Sequence, residues 1–322
     1  MNQIKSKENL YQAYFKALRG KRGKADVVAY GRKVAHNIIL LQQQLDTGNW
    51  DIGHYHYFRI YDPKERLICA ASFPERVLHH AIMNVCHPYF DKMLIETTYA
   101  SRIGKGTYAA IEKAREGASR YTYVAKLDVR KYFDSINHQV LKEKLRRIFK
   151  DGHLLQLLDD IIDSYEVKQG IGLPIGNLTS QYFANFYLSE VDHLIKEQFK
   201  VPCYIRYMDD MLLYGNDKVQ LKQQVEQVRS ELGLIGLQLK PVQYYRTEQG
   251  VPFLGYRIYP KKLLLLGRSK RRFFHKYIVL HKLLESGDIT EREYTKRILP
   301  LLNYVQKGYT KRYRLSILGR TA

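Results

Sequence analysis

A chain of 322 residues with 53 Lys and Arg against 32 Asp and Glu carries a formal net charge of +21 and needs a polyanionic partner, of which nucleic acid is the first candidate. Its 45% apolar content excludes a disordered chain, and no apolar run approaches the roughly 18–20 residues of a membrane span. The opening MNQIKSKENL lacks the apolar stretch of a signal peptide, and Cys69, Cys86 and Cys203 show neither C-x-x-C spacing nor even pairing, so they read as reduced thiols of a cytoplasmic protein without a membrane partner.

In chain order, apolar spacings of three and four predict helices over 8–19 and 25–46. Alternation over 54–61 and the run 66–70 predict a strand pair. Pro74 is expected to start a helix that runs through Val85 and stops before Pro88. A buried strand over 124–129 precedes helices near 138–149 and 153–164. Thr179 is expected to cap a long amphipathic helix ending near Phe199. Strands at 203–207 and 211–214 flank a tight acidic turn, a helix follows near 217–232, and strands follow near 237–246 and 252–259. From Arg257 onward there are 17 Lys and Arg against 4 Asp and Glu, 13 of the 21 net charges. Helices near 269–285 and after Thr290, which forms a capping box with Glu293, make this a basic helical module beginning at about residue 262. The 27 tyrosines suit stacking on nucleic acid, although most are expected to pack half-buried.

Two acidic sites stand out because each borders a hydrophobic strand. Asp128 follows Ala125-Lys126-Leu127, and Asp209-Asp210 follow Tyr204-Ile205-Arg206-Tyr207-Met208. Adjacent aspartates at a hairpin turn repel one another, and a bound cation is the natural compensation. Hard oxygen ligands suit Mg²⁺, and two such ions can clamp the attacking and leaving oxygens of phosphoryl transfer. Read alone, Asp209-Asp210 would be only a polar turn. Gly104-Lys105-Gly106-Thr107 lacks the P-loop spacing, and the pairs His54/His56 and His79/His80 lack partners for zinc.

Together these segments resemble the reverse transcriptase family. Tyr207-Met208-Asp209-Asp210 matches its Y-x-D-D signature, and Asp128 matches the aspartate of its first catalytic motif. The resemblance implies an α+β right-hand polymerase fold: an N-terminal extension and helix-rich fingers over 1–122, a ferredoxin-like antiparallel palm over 123–261 with finger helices inserted near 138–175, and a short basic helical thumb over 262–322. It implies that Asp128, Asp209 and Asp210 ligate two Mg²⁺ ions, a role Mn²⁺ can also fill. Phe133 stands where the family has an aromatic that excludes a ribose 2′-OH, so dNTPs are the expected substrates. Pro63-Lys64-Glu65-Arg66-Leu67-Ile68 is similar to the finger strands that hold the triphosphate, which points to Lys64 and Arg66. Lys240 stands at the lysine proposed to protonate pyrophosphate, and Phe253-Leu254-Gly255-Tyr256 matches the primer-grip hairpin. Lys270, Arg271 and Arg272 are expected to contact template–primer.

Between the acidic motifs lies Gly172-Leu173-Pro174-Ile175-Gly176-Asn177-Leu178-Thr179-Ser180-Gln181. Most of the family has Q-G-x-x-x-S-P; this chain departs at Ile175 and Gln181. The variant resembles reverse transcriptases of diversity-generating retroelements, as do Glu8–Tyr14, Glu75–Ala81 and Tyr99–Thr107. That resemblance implies mutagenic, adenine-biased cDNA synthesis on a structured template RNA, with a small basic oligomeric accessory variability protein as partner. It places the enzyme in the cytoplasm of a bacterial host, encoded by bacterium or phage. Ile175 cannot hydrogen-bond, so with Gly176 it would position the incoming nucleotide less strictly than glutamine. The alternatives are a group II intron-like, retron or defence-associated reverse transcriptase, an RNA-dependent RNA polymerase, and a non-catalytic RNA-binding scaffold.

Overall fold

A computed structural model of the chain describes residues 1–61 and 65–318. Three short helices open it: α1 (Lys7–Ala17), α2 (Ala25–Arg32) and α3 (Val34–Thr47). The single helix expected over 25–46 is two. Lys33 leaves the helical region at φ −124°, ψ 30°, and the break lets Val27 and Tyr30 of α2 and Ile38, Leu41 and Leu45 of α3 all reach the core. The hairpin β1 (Tyr55–Ile60) and β2 (Arg66–Ala71) follows as expected.

Helix α4 (Phe73–Lys92) is longer than its sequence suggests. Ser72 caps it by accepting from Glu75 N, Pro74 sits in the first turn, and the helix runs through Pro88 instead of stopping there. An internal proline costs about 3 kcal/mol. Here Phe90, just beyond it, packs its ring against Phe149, Phe183 and Phe186, which holds the last turn in place. Helix α5 (Thr107–Arg120) was not expected; its buried stripe is Ala110, Ala114, Gly117 and Ala118 with Ile111 as its single large apolar side chain, so it carries little hydrophobic signal.

The central sheet has the strand order β4-β5-β3-β6, antiparallel throughout: β3 (Tyr123–Asp128), β4 (Cys203–Tyr207), β5 (Asp210–Gly215) and β6 (Gln243–Arg246). Helices α6 (His138–Ile148), α7 (Gly152–Asp163), α8 (Leu178–Tyr187) and α9 (Ser189–His193) lie between β3 and β4, and α10 (Lys218–Leu234) between β5 and β6. With β5 inserted between β3 and β4, this is the split β-α-β-β-α-β topology of ferredoxin-like sheets. The long helix expected over 179–199 is broken into α8, α9 and a π turn at Leu194–Gln198. Its cap is Asn177 and not Thr179, and Asn177 makes no capping bond because its Oδ1 accepts from Ala71 N of β2. The strand expected from 237 is regular only from Gln243; Pro241 cannot donate to a ladder, and Leu239 makes a single bridge to Val129.

A second sheet, β7 (Val251–Phe253), β8 (Tyr256–Ile258) and β9 (Leu263–Leu265), carries the chain across residue 262 into α11 (Gly267–Glu285), α12 (Glu291–Gln306) and α13 (Lys311–Leu318). Leu254 and Gly255 both have positive φ, 45° and 90°, as a tight two-residue hairpin requires. A Cβ at Gly255 would stand 1.9 Å from Tyr304 Oη, so the turn and α12 fit only with glycine there. Among the described residues no helix is long and apolar enough to cross a membrane, and Cys69, Cys86 and Cys203 are buried free thiols.

Candidate active site

β3 ends on Asp128, β5 begins on Asp210, and the register sets the two directly opposite each other. β4 and β5 are joined by Met208 and Asp209 alone, because Tyr207 pairs with Asp210. The sheet therefore gathers all three aspartates at one end. Burial raises the Asp209 carboxyl above the usual range, with Asp128 pushing it further and Lys240 and Arg66 opposing. Burial pushes Asp210 up to about 7; Lys126 pulls against this, and Asp209 and Asp128 add to it.

Two lysines serve this cluster. Lys240 N donates to Asp128 O at 2.9 Å, and its Nζ donates to Asp128 Oδ1 at 2.5 Å. Lys126, on β3, donates to Pro252 O at 2.9 Å and stands 3.5 Å from Asp210 Oδ1. That oxygen is buried and accepts no hydrogen bond. An orphaned carboxylate oxygen beside two further carboxylates is a hard donor set that fits Mg²⁺. Among the described residues, however, no three acidic, imidazole or thiol groups already converge on one point, and Asp128 Oδ1 pairs with Lys240. A cation held by all three aspartates therefore requires their carboxylates to draw together, in competition with Lys240 for Asp128.

Sequence reasoning missed what holds the turn. Arg206 is 0% exposed, and its guanidinium pairs with Asp192 at 2.5–3.0 Å, with Asn185 through side chain and backbone, and with Met208 O at 3.1 Å. Met208 has φ +58°, a left-handed conformation that costs a non-glycine residue about 1–2 kcal/mol. Arg206 ties that strained turn to α8 and α9. A lone arginine inside the apolar run Tyr204-Ile205-Arg206-Tyr207, beside the Y-x-D-D turn, was the available signal, although it does not name the partner.

Among the described residues, Arg66 is the expected substrate residue that an electrostatic interaction ties to the aspartates. Arg66 begins β2, and its charge acts on Asp209; Lys64 lies outside the described residues. Phe133 opens a 3-10 turn five residues past Asp128, with its carbonyl accepting from Leu173 N at 2.8 Å. Ile175 O accepts from Cys69 N of β2 at 2.8 Å. Gly176, at φ +129°, comes so close to β2 that an added Cβ would stand 2.9 Å from Ile68 Cγ2. The loop 172–177 thus bridges the turn of Phe133 and the strand of Arg66.

Lys270, Arg271 and Arg272 are elsewhere, on α11, and no described contact links them to the aspartates. They also differ from one another. Lys270 is half-buried, with Nζ 5.4 Å above the Tyr313 ring, whereas Arg271 is exposed. Arg271→Ser is expected to leave the melting temperature unchanged while lowering the slope of log K against log salt for a template–primer duplex by about one. Lys270→Ser should lower the melting temperature as well. An unchanged slope in the Arg271 titration would turn that face of α11 away from nucleic acid.

Comparison with known proteins agrees with this geometry. Residues 62–258 match the family described as reverse transcriptase (RNA-dependent DNA polymerase). Protein YkfC of Escherichia coli is 23% identical over 65% of this chain and 69% of its own length. The putative COX1/OXI3 intron 1 protein of Saccharomyces cerevisiae is 21% identical over 68% of this chain and 34% of its length. Telomerase from Candida albicans, solved with a TWJ fragment of telomeric RNA, superposes with a TM-score of 0.51 at 14% identity, over 82% of this chain and 56% of that one. The chain thus spans about a third of the intron protein and little more than half of the telomerase. More than half of its own length falls within the matched family, and the chain belongs to the reverse transcriptases, the RNA-dependent DNA polymerases.

Proposed function

We propose that the chain is an error-prone RNA-directed DNA polymerase of a diversity-generating retroelement, making adenine-mutagenised cDNA from a structured template-repeat RNA. The observation that carries the polymerase chemistry is the register that sets Asp128 opposite Asp210 beside the Met208-Asp209 turn. In this reading residues 1–122 are an N-terminal extension and the fingers, 123–261 the palm and 262–322 the thumb. Asp128, Asp209 and Asp210 hold two divalent cations, Mg²⁺ or Mn²⁺. Bound there, the ions stabilise charge on the attacking and leaving oxygens. Arg66 and Lys64 hold the triphosphate of the incoming dNTP, and Phe133 packs against its sugar. Lys240, which pairs with Asp128 here, gives a proton to the departing pyrophosphate once released from that contact.

What supports an error-prone enzyme is Ile175. Its backbone is stitched to β2, the strand of Arg66, while its side chain offers only apolar contact. Ile175→Gln is expected to lower misincorporation by a few-fold to about tenfold, most visibly opposite template adenine, since one hydrogen bond contributes about 0.5–1.5 kcal/mol. Extension of a primed RNA template with dNTPs and then with NTPs tests the polymerase, and sequencing the cDNA of both variants tests fidelity. An identical error spectrum would leave Ile175 without a causal part. The accessory variability protein and a bacterial cytoplasmic setting belong to the same proposal. A second reading, a group II intron-like reverse transcriptase, is favoured by the likeness to the yeast intron 1 protein. A low-error enzyme without adenine bias selects that reading.

A further inference from the structure

Away from the aspartates, buried polar side chains gather without the partners their chemistry needs. His79 of α4 is 1% exposed and neither ring nitrogen is hydrogen-bonded; Nε2 stands 3.5 Å from Glu75 Oε1, itself unpartnered. Asn177, 3% exposed, accepts from Ala71 N through its Oδ1, but its Nδ2 donates to nothing among the described residues. A buried polar group left so costs about 1–3 kcal/mol, and such groups call for a partner, a water or a ligand.

His79 and Asn177 line one cavity of about 130 Å³, with Lys21, Arg76, His80 and Gly176. None of the described residues lining it is acidic. It opens on the N-terminus of the ten-residue helix α8, where free backbone N–H groups and the helix dipole favour an anion. Positive charge is crowded around it. Burial, then Arg76 and Lys24, lower the pKa of Lys21, against Asp26. Burial, then Lys16, Lys21 and Arg19, push His80 down to about 4.

Arg76 also lines a larger open groove, about 1100 Å³, with Lys24, Lys33, His56 and Phe58. Cations interleaved with exposed rings suit a strand whose phosphates pair with the cations while its bases stack. That continuity favours a phosphodiester over a small free anion. We propose that the cavity beside the Ile175-Gly176 loop is a phosphate site that grips one backbone phosphate of the template strand through Arg76, Lys21, His79 and Asn177. The proposal rests on the polymerase reading for the identity of the strand. It couples template position to the loop that faces the incoming nucleotide.

The test uses the full chain and a primed RNA template with a single-stranded 5′ overhang, in which a neutral methylphosphonate replaces one phosphate at a time. One overhang linkage is expected to weaken wild-type binding about tenfold when neutralised. The same linkage should have no effect on Lys21→Gln/Arg76→Gln, whose salt slope is already lower by about 0.7. Losses at every linkage that are equal in wild type and variant overturn the site. So does a raised KM for dNTP with template binding unchanged, which assigns the cavity to the free triphosphate. An unchanged melting temperature shows that the variant folds, and Arg76→Gln alone carries the same cycle if the double variant does not. Binding needs no catalysis, so an intact linkage effect in a chain that makes no DNA counts against the catalytic reading and not against the pocket.

Discussion

Asp209→Ala and Asp128→Asn are each expected to lower Mg²⁺-dependent DNA synthesis by at least about 10³-fold while template–primer binding stays near that of the wild type. The loss corresponds to about 4 kcal/mol of charge stabilisation at the reacting phosphate, a size typical of removing one such group. Asp128→Asn is the sharper of the two. Asn keeps an oxygen that can accept from Lys240 Nζ, so the contact at 2.5 Å and the fold around it survive while the charge is lost. Asp209→Ala acts at the turn, where the carboxyl is already raised by burial and by Asp128. Primer extension across an Mg²⁺ titration, with binding measured on the same preparations, checks both. Wild-type-like extension by either variant at saturating Mg²⁺ would remove these residues from the catalytic centre.

Much of this site was legible because strands that border charged residues have a strong local signal. The apolar runs before Asp128 and around Asp209-Asp210 specify strands, and two-residue hairpins leave little freedom in register. The same locality explains the helix errors. Alanine-rich α5 has Ile111 as the one large apolar residue of its buried face, so the periodicity is faint. Pro88 should end a helix by its own chemistry, but the ring cluster of Phe90 outweighs it. Thr179 looked like a cap because its side chain is of the right kind, yet a strand more than a hundred residues away claims Asn177 and fixes where α8 begins.

Residues that act over sequence distance were invisible for the same reason. Nothing in the chain order marks Asp192 as the partner of Arg206, or ties the loop at Ile175 to the strand of Arg66 by one backbone bond. The basic tail shows the converse. Its composition announced a cationic surface, but composition does not separate Lys270, engaged with Tyr313, from the exposed Arg271. Charge count identifies the class of partner; packing decides which charges are available to it.

Arg206→Met is expected to be the most destabilising single change near the site, costing about 3–5 kcal/mol and lowering the melting temperature by about 4–7 °C. Among the described residues, it leaves the Asp192 carboxylate at 0% exposure with only Tyr204 Oη at 2.7 Å and Thr98 Oγ1 at 3.3 Å. Replacing both partners, Arg206→Met with Asp192→Leu, removes the uncompensated charge and should recover most of the melting temperature. Activity should not recover with it. The guanidinium also holds Met208 O at 3.1 Å, and with no donor there the left-handed turn relaxes and moves Asp209 away from Asp128. Stability restored while DNA synthesis stays at least about tenfold low, with KM for dNTP little changed, identifies Arg206 as a positioning residue for the aspartates. Recovery of both together would reduce it to a structural ion pair, and the strained turn would then owe its geometry to the register of β4 on β5 alone.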